Sequence, residues 1–188
     1  NYLYLKKVAS FKKDIILSTG MANIQEIVAA IKVLCKSGLN RNQITILHCS
    51  TEYPAKFSGI NLNALNTLKK KLKTNIGYSD HTLGLEVAVA AVALGARVIE
   101  KHITINKNLL GPDHRASLNP KEFQKMVTAI RNIEKSMGNG KKIPNSNEKK
   151  NLKIVRKSIV AKKNIDKGEF FSLDNITSKR PGTGMSPM

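Results

Sequence analysis

The chain has 188 residues, with 32 Lys and Arg against 13 Asp and Glu, for a formal net charge of +19. An apolar share of 41% excludes wholesale disorder, and the most apolar stretch, Val87 to Ile99, is too short and too interrupted by Arg97 to span a bilayer, so no membrane partner is expected. Two cysteines, Cys35 and Cys49, give no disulfide framework and fit a reducing compartment, so a cytoplasmic location is expected.

The positive charge is spread evenly: residues 1–120 hold 16 basic and 7 acidic groups (net +9), and residues 121–188 hold 16 and 6 (net +10). Aromatic residues are 5% of the chain and do not interleave with the basic ones. With 18 Asn as well, this reads as Lys and Asn enrichment, and no nucleic-acid partner is expected.

In chain order, Tyr2 to Phe11 reads as a helix. Four short apolar runs follow: Ile15–Leu17, Ile44–Leu47, Thr74–Gly77 and Arg97–Glu100. Each ends in a polar cluster and is followed by a helical pattern. Asn23 with Glu26 three residues on opens a helix whose stripe is Ile24, Ile27, Val28, Ile31, Leu34 and Cys35, and Gly38 stops it. Leu85 to Leu94 reads as a buried Ala/Val-rich helix ended by Gly95. Asn119-Pro120 with Glu122 starts a last helix carrying Phe123, Met126, Val127, Ile130, Ile133 and Met137 on one face.

The runs recur at βα-unit spacing. Four such units are about half of an eight-unit barrel, which needs about 250 residues. The competing reading is a four-stranded open sheet. Chemically capable residues at the end of every strand favour the barrel, because an open sheet concentrates them at one switch point. The expected fold is therefore α/β: a (β/α)8 TIM barrel represented by four of its strands, over residues 1–138. A polar linker is expected over 139–152. Residues 153–188 then read as the start of a small β-rich domain with strands at Ser158–Ala161, Glu169–Phe171 and Ile176–Lys179. Half a barrel leaves two strand edges open, so the 188 residues alone are expected neither to fold stably nor to turn over a substrate, and a longer protein is expected.

His81 and His102 fall just past the third and fourth strands. On neighbouring barrel strands the two imidazoles can converge on one point, a plausible open site for Mn²⁺, Zn²⁺ or Fe²⁺; the alternative is two separate hydrogen-bonding rim histidines. Asp80 and Glu100 are candidates to orient them. The loop Leu109 to Ser117 contains Gly111-Pro112, a turn that can aim Asp113 and His114 over the barrel mouth. Ser18, Thr51 and Ser79, at strand ends, can bind phosphate or carboxylate. Cys49 reads as packing, without a reactive signature.

Six motifs occur in order: Ile15-Ile16-Leu17-Ser18-Thr19-Gly20-Met21, His48-Cys49-Ser50-Thr51-Glu52-Tyr53-Pro54, Gly77-Tyr78-Ser79-Asp80-His81-Thr82, Glu100-Lys101-His102-Ile103-Thr104, Gly111-Pro112-Asp113-His114 and Lys179-Arg180-Pro181-Gly182. Together they resemble the N-acetylneuraminate (sialic acid) synthase family, including its legionaminate members. The resemblance implies a TIM barrel, of which the four strands here are strands five to eight, followed by an antifreeze-like (SAF, β-clip) domain. It also implies an enzyme, a C–C bond-forming transferase that condenses phosphoenolpyruvate with an open-chain N-acetylmannosamine-type sugar and releases phosphate. C3 of phosphoenolpyruvate attacks the sugar aldehyde, and water adds to the resulting oxocarbenium centre.

By the same resemblance, His81 and His102 hold a divalent metal, Mn²⁺ foremost with Mg²⁺ or Co²⁺ as alternatives. Ser18 and Ser79 match phosphoenolpyruvate contacts, and Tyr53 and Asp113 match sugar contacts. Thr51 stands where some members carry an Asn. Arg180 matches an arginine that reaches the partner's site in a domain-exchanged homodimer. The alternatives are a non-catalytic fragment of such a synthase, a barrel-fold metal hydrolase and a basic nucleic-acid-binding module.

Overall fold

The computed structural model describes residues 1–111 and 113–188. Its chain divides into two compact units, Asn1–Gly138 and Asn139–Met188.

The first unit opens with α1 (Tyr2–Ser10), capped by the Asn1 side chain, followed by β1 (Ile15–Ser18) and α2 (Ile24–Lys36). β2 (Ile44–Cys49), α3 (Ala64–Leu72), β3 (Asn75–Asp80), α4 (Glu86–Ala93), β4 (Ile99–Lys101) and α5 (Pro120–Ser136) complete it. Both expected helix starts form by reciprocal capping. The Asn23 side chain accepts from the Glu26 amide while the Glu26 carboxylate accepts from the Asn23 amide, and Asn119 and Glu122 repeat the arrangement with Pro120 at the first helical position. Each cap satisfies amides that a helix start leaves unpaired.

The four strands form one parallel sheet in the order β1-β2-β3-β4. Strand order that follows chain order, with helical crossovers of one hand, carries every helix to the same face and leaves no switch point. This is the winding of a barrel arc. On the helix side Ile44, Ile46, Ile76 and Tyr78 pack with Ile27, Ile31 and Leu34 of α2 and Leu65, Leu68 and Leu72 of α3. A smaller cluster of Ala88, Leu118, Met126 and Ile130 joins α4 to α5. On the opposite, inner face Leu47 is fully buried, whereas Ile16 on edge strand β1 is 57% exposed. Leu47 fills the space of Gly77: a Cβ there would lie 2.5 Å from Leu47 Cδ2 and from the Val98 carbonyl, so only glycine lets β4 approach.

Strands β2 and β3 run two and three residues further than their apolar runs suggest. Ser79 and Asp80 are laddered to Glu100 and Lys101, and their polarity is satisfied in place. Lys101 Nζ bonds Asp80 Oδ2 at 2.8 Å with both side chains fully buried, and the other Asp80 oxygen accepts from the amide and hydroxyl of Thr82. Lys101 also donates to the Thr82 carbonyl.

In the second unit, β5 (Ser158–Ala161) and β6 (Ile176–Lys179) form where strands are expected, and they pair antiparallel. Two expectations are corrected. The 139–152 stretch contains the start of α6 (Ser146–Val155), capped by Asn145 and Glu148. Glu169–Phe171 is not a strand: the Glu169 carboxylate accepts from the Asp166 amide and from Asn175 Nδ2, and Asn175 Nδ2 also bonds the Phe170 carbonyl. Local side-chain bonds take the backbone groups a ladder would need.

Removing Lys101 strands a carboxylate in the protein interior. Lys101→Met is expected to destabilise the intact protein by about 3–5 kcal/mol, read as a lower urea midpoint. Arg131→Ala, which breaks the exposed Arg131–Glu134 pair, is expected to change stability by no more than about 0.5 kcal/mol.

Candidate active site

Alternation along the strands decides which side chains share the inner face. Cys49, Ser79 and Glu100 are register partners across β2, β3 and β4, so they form one row. His81 and His102 each follow by two residues and lie on the same face, one step nearer the rim. Asp80 and Lys101, one residue out of phase, point to the helix side.

The row is bonded. Ser79 Oγ donates to Glu100 Oε1 at 2.6 Å and lies 3.2 Å from His81 Nε2. His81 Nδ1 bonds the Ser50 carbonyl at 2.5 Å. A carbonyl can only accept, so Nδ1 carries a proton, and in the neutral form of the ring the lone pair is on Nε2. The single hydroxyl hydrogen of Ser79 is committed to Glu100, so that lone pair has no donor. The Ala55 amide donates to the His81 carbonyl at 2.8 Å, and Ala55 bridges Thr82. The 50–55 loop is therefore fastened to His81 at both its ends.

Tyr53 lies between those fastenings. Its ring centroid sits 4.2 Å from His81, tilted by 33°, and 5.8 Å from His102, edge-on. The two imidazole centroids are 5.4 Å apart. Ser79 and His81 are buried, His102 is half-buried, and Tyr53 is exposed on its outer side. Burial pushes the Tyr53 phenol up; Cys49, once ionised, and the charges of Asp113 and Glu100 add to it. The hydroxyl therefore stays protonated and available as a donor. Burial likewise pushes the Cys49 thiol up, against the opposing pull of the Thr19 and Gly20 amides.

His81, His102, Ser79 and Tyr53 are thus brought together. Ser18 lies at the end of β1 on the inner face, exposed. Thr51 is exposed, and its methyl presses on Gly20, where a Cβ would lie 2.5 Å away. Asp113 is near enough to Tyr53 for its charge to act on the phenol. His114 Nδ1 pairs with Thr104 Oγ1 at 2.8 Å, which ties that ring to its own loop. The expected Gly111-Pro112 turn falls partly on Pro112, outside the described residues. Arg180 follows β6 in the second unit and is exposed.

The expected orienting roles change. Asp80 is spent on Lys101 and Thr82, and Glu100 reaches Ser79 instead of an imidazole. The His81 orienters are the Ser50 carbonyl and the Ala55 amide. Both are backbone groups with no signature in the sequence.

Among the described residues, no group of three His, Cys, Asp or Glu side chains is placed to hold a metal ion. The two imidazoles still fit one in their donor chemistry: the donor-less Nε2 of His81, fixed by a carbonyl on the far nitrogen, is the arrangement of a metal-ligating histidine. Other ligands would be water or substrate oxygens, as at an open site.

The NeuB family matches residues 1–142. The chain belongs to that family. It is 57% identical over 188 residues to the N,N'-diacetyllegionaminic acid synthase of Campylobacter jejuni, covering all of this chain and 56% of that protein. The Legionella pneumophila protein of the same name is 42% identical over 189 residues, covering all of this chain and 53% of its own length. The chain thus spans about half the length of the curated relatives it matches. Among solved structures, the N-acetylneuraminic acid synthetase of Leptospira borgpetersenii in complex with citrate superposes with a TM-score of 0.72 at 39% identity, over 80% of this chain and 52% of that one. The parallel sheet of this NeuB-family chain accordingly fits part of a TIM barrel, and among its described residues no helix is long and apolar enough to cross a membrane.

A thiol held above its ordinary range is protonated at neutral pH. Cys49 is expected to react with iodoacetamide several-fold more slowly than free cysteine (roughly threefold or more) at pH 8, with the rate still climbing at pH 9.5. Mass spectrometry of the labelled peptide measures it. A fast, pH-independent rate would show a thiolate instead.

Proposed function

We propose that the intact protein condenses phosphoenolpyruvate with an open-chain N-acetylated hexosamine, forming a nonulosonic acid and phosphate. The observation that carries this reading is the row of Ser79, His81 and His102 on one sheet face with Tyr53 lying over both imidazoles, in a chain of the NeuB family. The 57% identity to a diacetyllegionaminic acid synthase supports a 2,4-diacetamido-trideoxy hexose as the acceptor in preference to N-acetylmannosamine.

In this reading Ser18 and Ser79 bind phosphoenolpyruvate at the strand ends. Glu100 holds the Ser79 hydroxyl so that its lone pairs face the site. Tyr53, protonated, donates to the sugar, and Asp113 and Thr51 complete that side. Tyr53 also shields the imidazoles from bulk water, which strengthens polar contacts beneath it. His81 and His102 would hold a divalent metal, Mn²⁺ foremost with Mg²⁺ or Co²⁺ as alternatives, and that ion supplies Lewis-acid polarisation of the sugar aldehyde. Arg180 is proposed to act from an antifreeze-like (SAF) domain across a domain-exchanged homodimer, where a permanent charge and a planar fork suit an anionic or polyhydroxylated substrate. The positive charge of the chain raises the local concentration of an anionic substrate. The 188 residues alone, with the outer edges of β1 and β4 unpaired among the described residues, are proposed to be inactive.

Phosphate release from phosphoenolpyruvate, measured with each sugar, tests the reading. Turnover is expected only when both substrates are present, stopping with chelator and returning with Mn²⁺. His81→Ala and His102→Ala are each expected to lower kcat/KM by about 10³-fold or more. Tyr53→Phe is expected to act mainly on the sugar KM, by about tenfold. Phosphate release without a sugar, or full activity in both histidine variants, would overturn the proposal.

A further inference from the structure

The turn that follows α5 holds the one Asn-Gly pair in the sequence, Asn139-Gly140. It lies at the join of the two units: Gly138 is the last residue of the first, and Asn139 is the first residue of the second. Asn139, Gly140 and Lys141 are all exposed.

Three observations converge there. Asn139 Oδ1 accepts from the Lys141 amide at 3.0 Å. The ring closed by that bond contains both Asn139 Cγ and the Gly140 nitrogen, so the side chain is folded back along the peptide that follows it. The same bond polarises Cγ and stabilises negative charge developing on Oδ1. The Gly140 amide, for its part, donates no hydrogen bond among the described residues. Gly140 also brings no Cβ to hinder approach to its nitrogen, and beyond its chain neighbours no heavy atom lies within 4 Å of where one would be. A free nitrogen, a polarised carbon and the room to close a ring thus occur in two adjacent residues.

The geometry points to a site of spontaneous covalent modification, and we propose that Asn139 converts through a cyclic imide to aspartate and isoaspartate. The Gly140 nitrogen gives its proton to hydroxide and attacks Asn139 Cγ. As that C–N bond forms, the bond from Cγ to the side-chain nitrogen breaks, and this nitrogen leaves as ammonia. Water then opens the imide. Opening at Cγ restores the original backbone with an aspartate side chain. Opening at the main-chain carbonyl of residue 139 gives isoaspartate, whose backbone runs through the former side chain. Nothing is oxidised or reduced. Either product places a new negative charge beside Lys141 and Lys142, and isoaspartate lengthens the covalent connection between the two units by one methylene.

Asn145-Ser146, a few residues on, is the internal contrast. Asn145 Oδ1 accepts from the Asn147 and Glu148 amides, while the Glu148 carboxylate accepts from the Asn145 amide. Ring closure there must break the cap of α6, and the Ser146 side chain crowds the attacking nitrogen. The inference concerns the join alone and does not rest on the proposed reaction.

Incubation of the intact protein in mildly alkaline buffer, followed by peptide mass spectrometry, tests it; labelling by isoaspartyl methyltransferase reads isoaspartate separately from aspartate. Asn139 is expected to convert at least about tenfold faster than Asn145, at a rate that rises with pH because the attacking amide must lose its proton. Unfolding in guanidinium chloride is expected to change the Asn139 rate by no more than about twofold, because the folded turn already permits the attack, and to raise the Asn145 rate about fivefold or more as its cap is lost. Gly140→Ala is expected to slow conversion at Asn139 about tenfold. Asn139→Gln, which must close a larger ring, is expected to slow it at least as much. Both positions are exposed, and thermal unfolding of each variant separates a changed turn from a lost fold. Asn139 that stays intact in the folded protein while it converts in guanidinium chloride would overturn the proposal. So would an unchanged rate in Gly140→Ala.

Discussion

The His81 clamp organises the rim of the first unit. One backbone carbonyl, from Ser50, fixes the ring's far nitrogen, and one backbone amide, from Ala55, fixes the residue's own carbonyl. Three consequences follow from those two bonds. The imidazole tautomer is set, so the nitrogen facing the site is the one with the lone pair. The loop after β2 is drawn over the end of β3, although no regular ladder continues that far. Tyr53, held between the two fastenings, has little choice but to lie across His81 and present its edge to His102. A side-chain partner for His81 would have oriented the ring without closing the loop; backbone partners do both.

The clamp in turn depends on strand phase. Neighbouring residues of β3 have opposite duties: Ser79 and His81 work on the inner face, and Tyr78 and Asp80 belong to the helix side. Asp80 is one of the least exposed residues in the chain, and it is paired with Lys101 from the register-paired position on β4. A buried ion pair of this kind is weak evidence of stability, because desolvation of both charges offsets their attraction. Its plainer effect is on register. Sliding β4 by one residue would put Lys101 on the inner face and leave the carboxylate buried alone, a cost that few apolar contacts could recover. The pair therefore helps to keep Glu100 level with Ser79, and His102 level with His81.

Much of this was legible in the sequence because it follows from periodicity and capping. The Asn23–Glu26 and Asn119–Glu122 pairs mark helix starts by their spacing alone, and the apolar runs mark strands that can be buried on the helix side. The strand ends were not legible, because hydrophobicity stops at Gly77 while hydrogen bonding continues to Asp80. Polar residues extend a strand only where a partner satisfies them, and Lys101 lies 21 residues away. The helix at Ser146–Val155 carried a readable signal in Asn145 and Glu148, masked by the Gly, Pro and Asn that precede it. The stretch 169–171 looked extended from Phe170 and Phe171, yet both rings are exposed and the chain there follows the bonds of Asn175. At the site, side chains could be anticipated and backbone partners could not. His81 and His102 were visible as residues at equivalent strand ends; Ser50 O and Ala55 N have no residue type to announce them. Asp80 shows the opposite error, a carboxylate adjacent in sequence to a histidine and on the other face of the sheet.

The net charge of +19 acquires a spatial meaning from the helices. Glu26, Glu86 and Glu122 occupy first turns, and Lys36, Lys69 to Lys71 and Lys135 occupy last turns, each the sign that the helix dipole favours. Because the crossover helices all run antiparallel to the strands, this preference sorts charge along the barrel axis: carboxylates gather toward the rim with the imidazoles and cations gather at the opposite end. A basic lower face is thus the ordinary product of helix capping, and a lysine there needs no ligand to explain it.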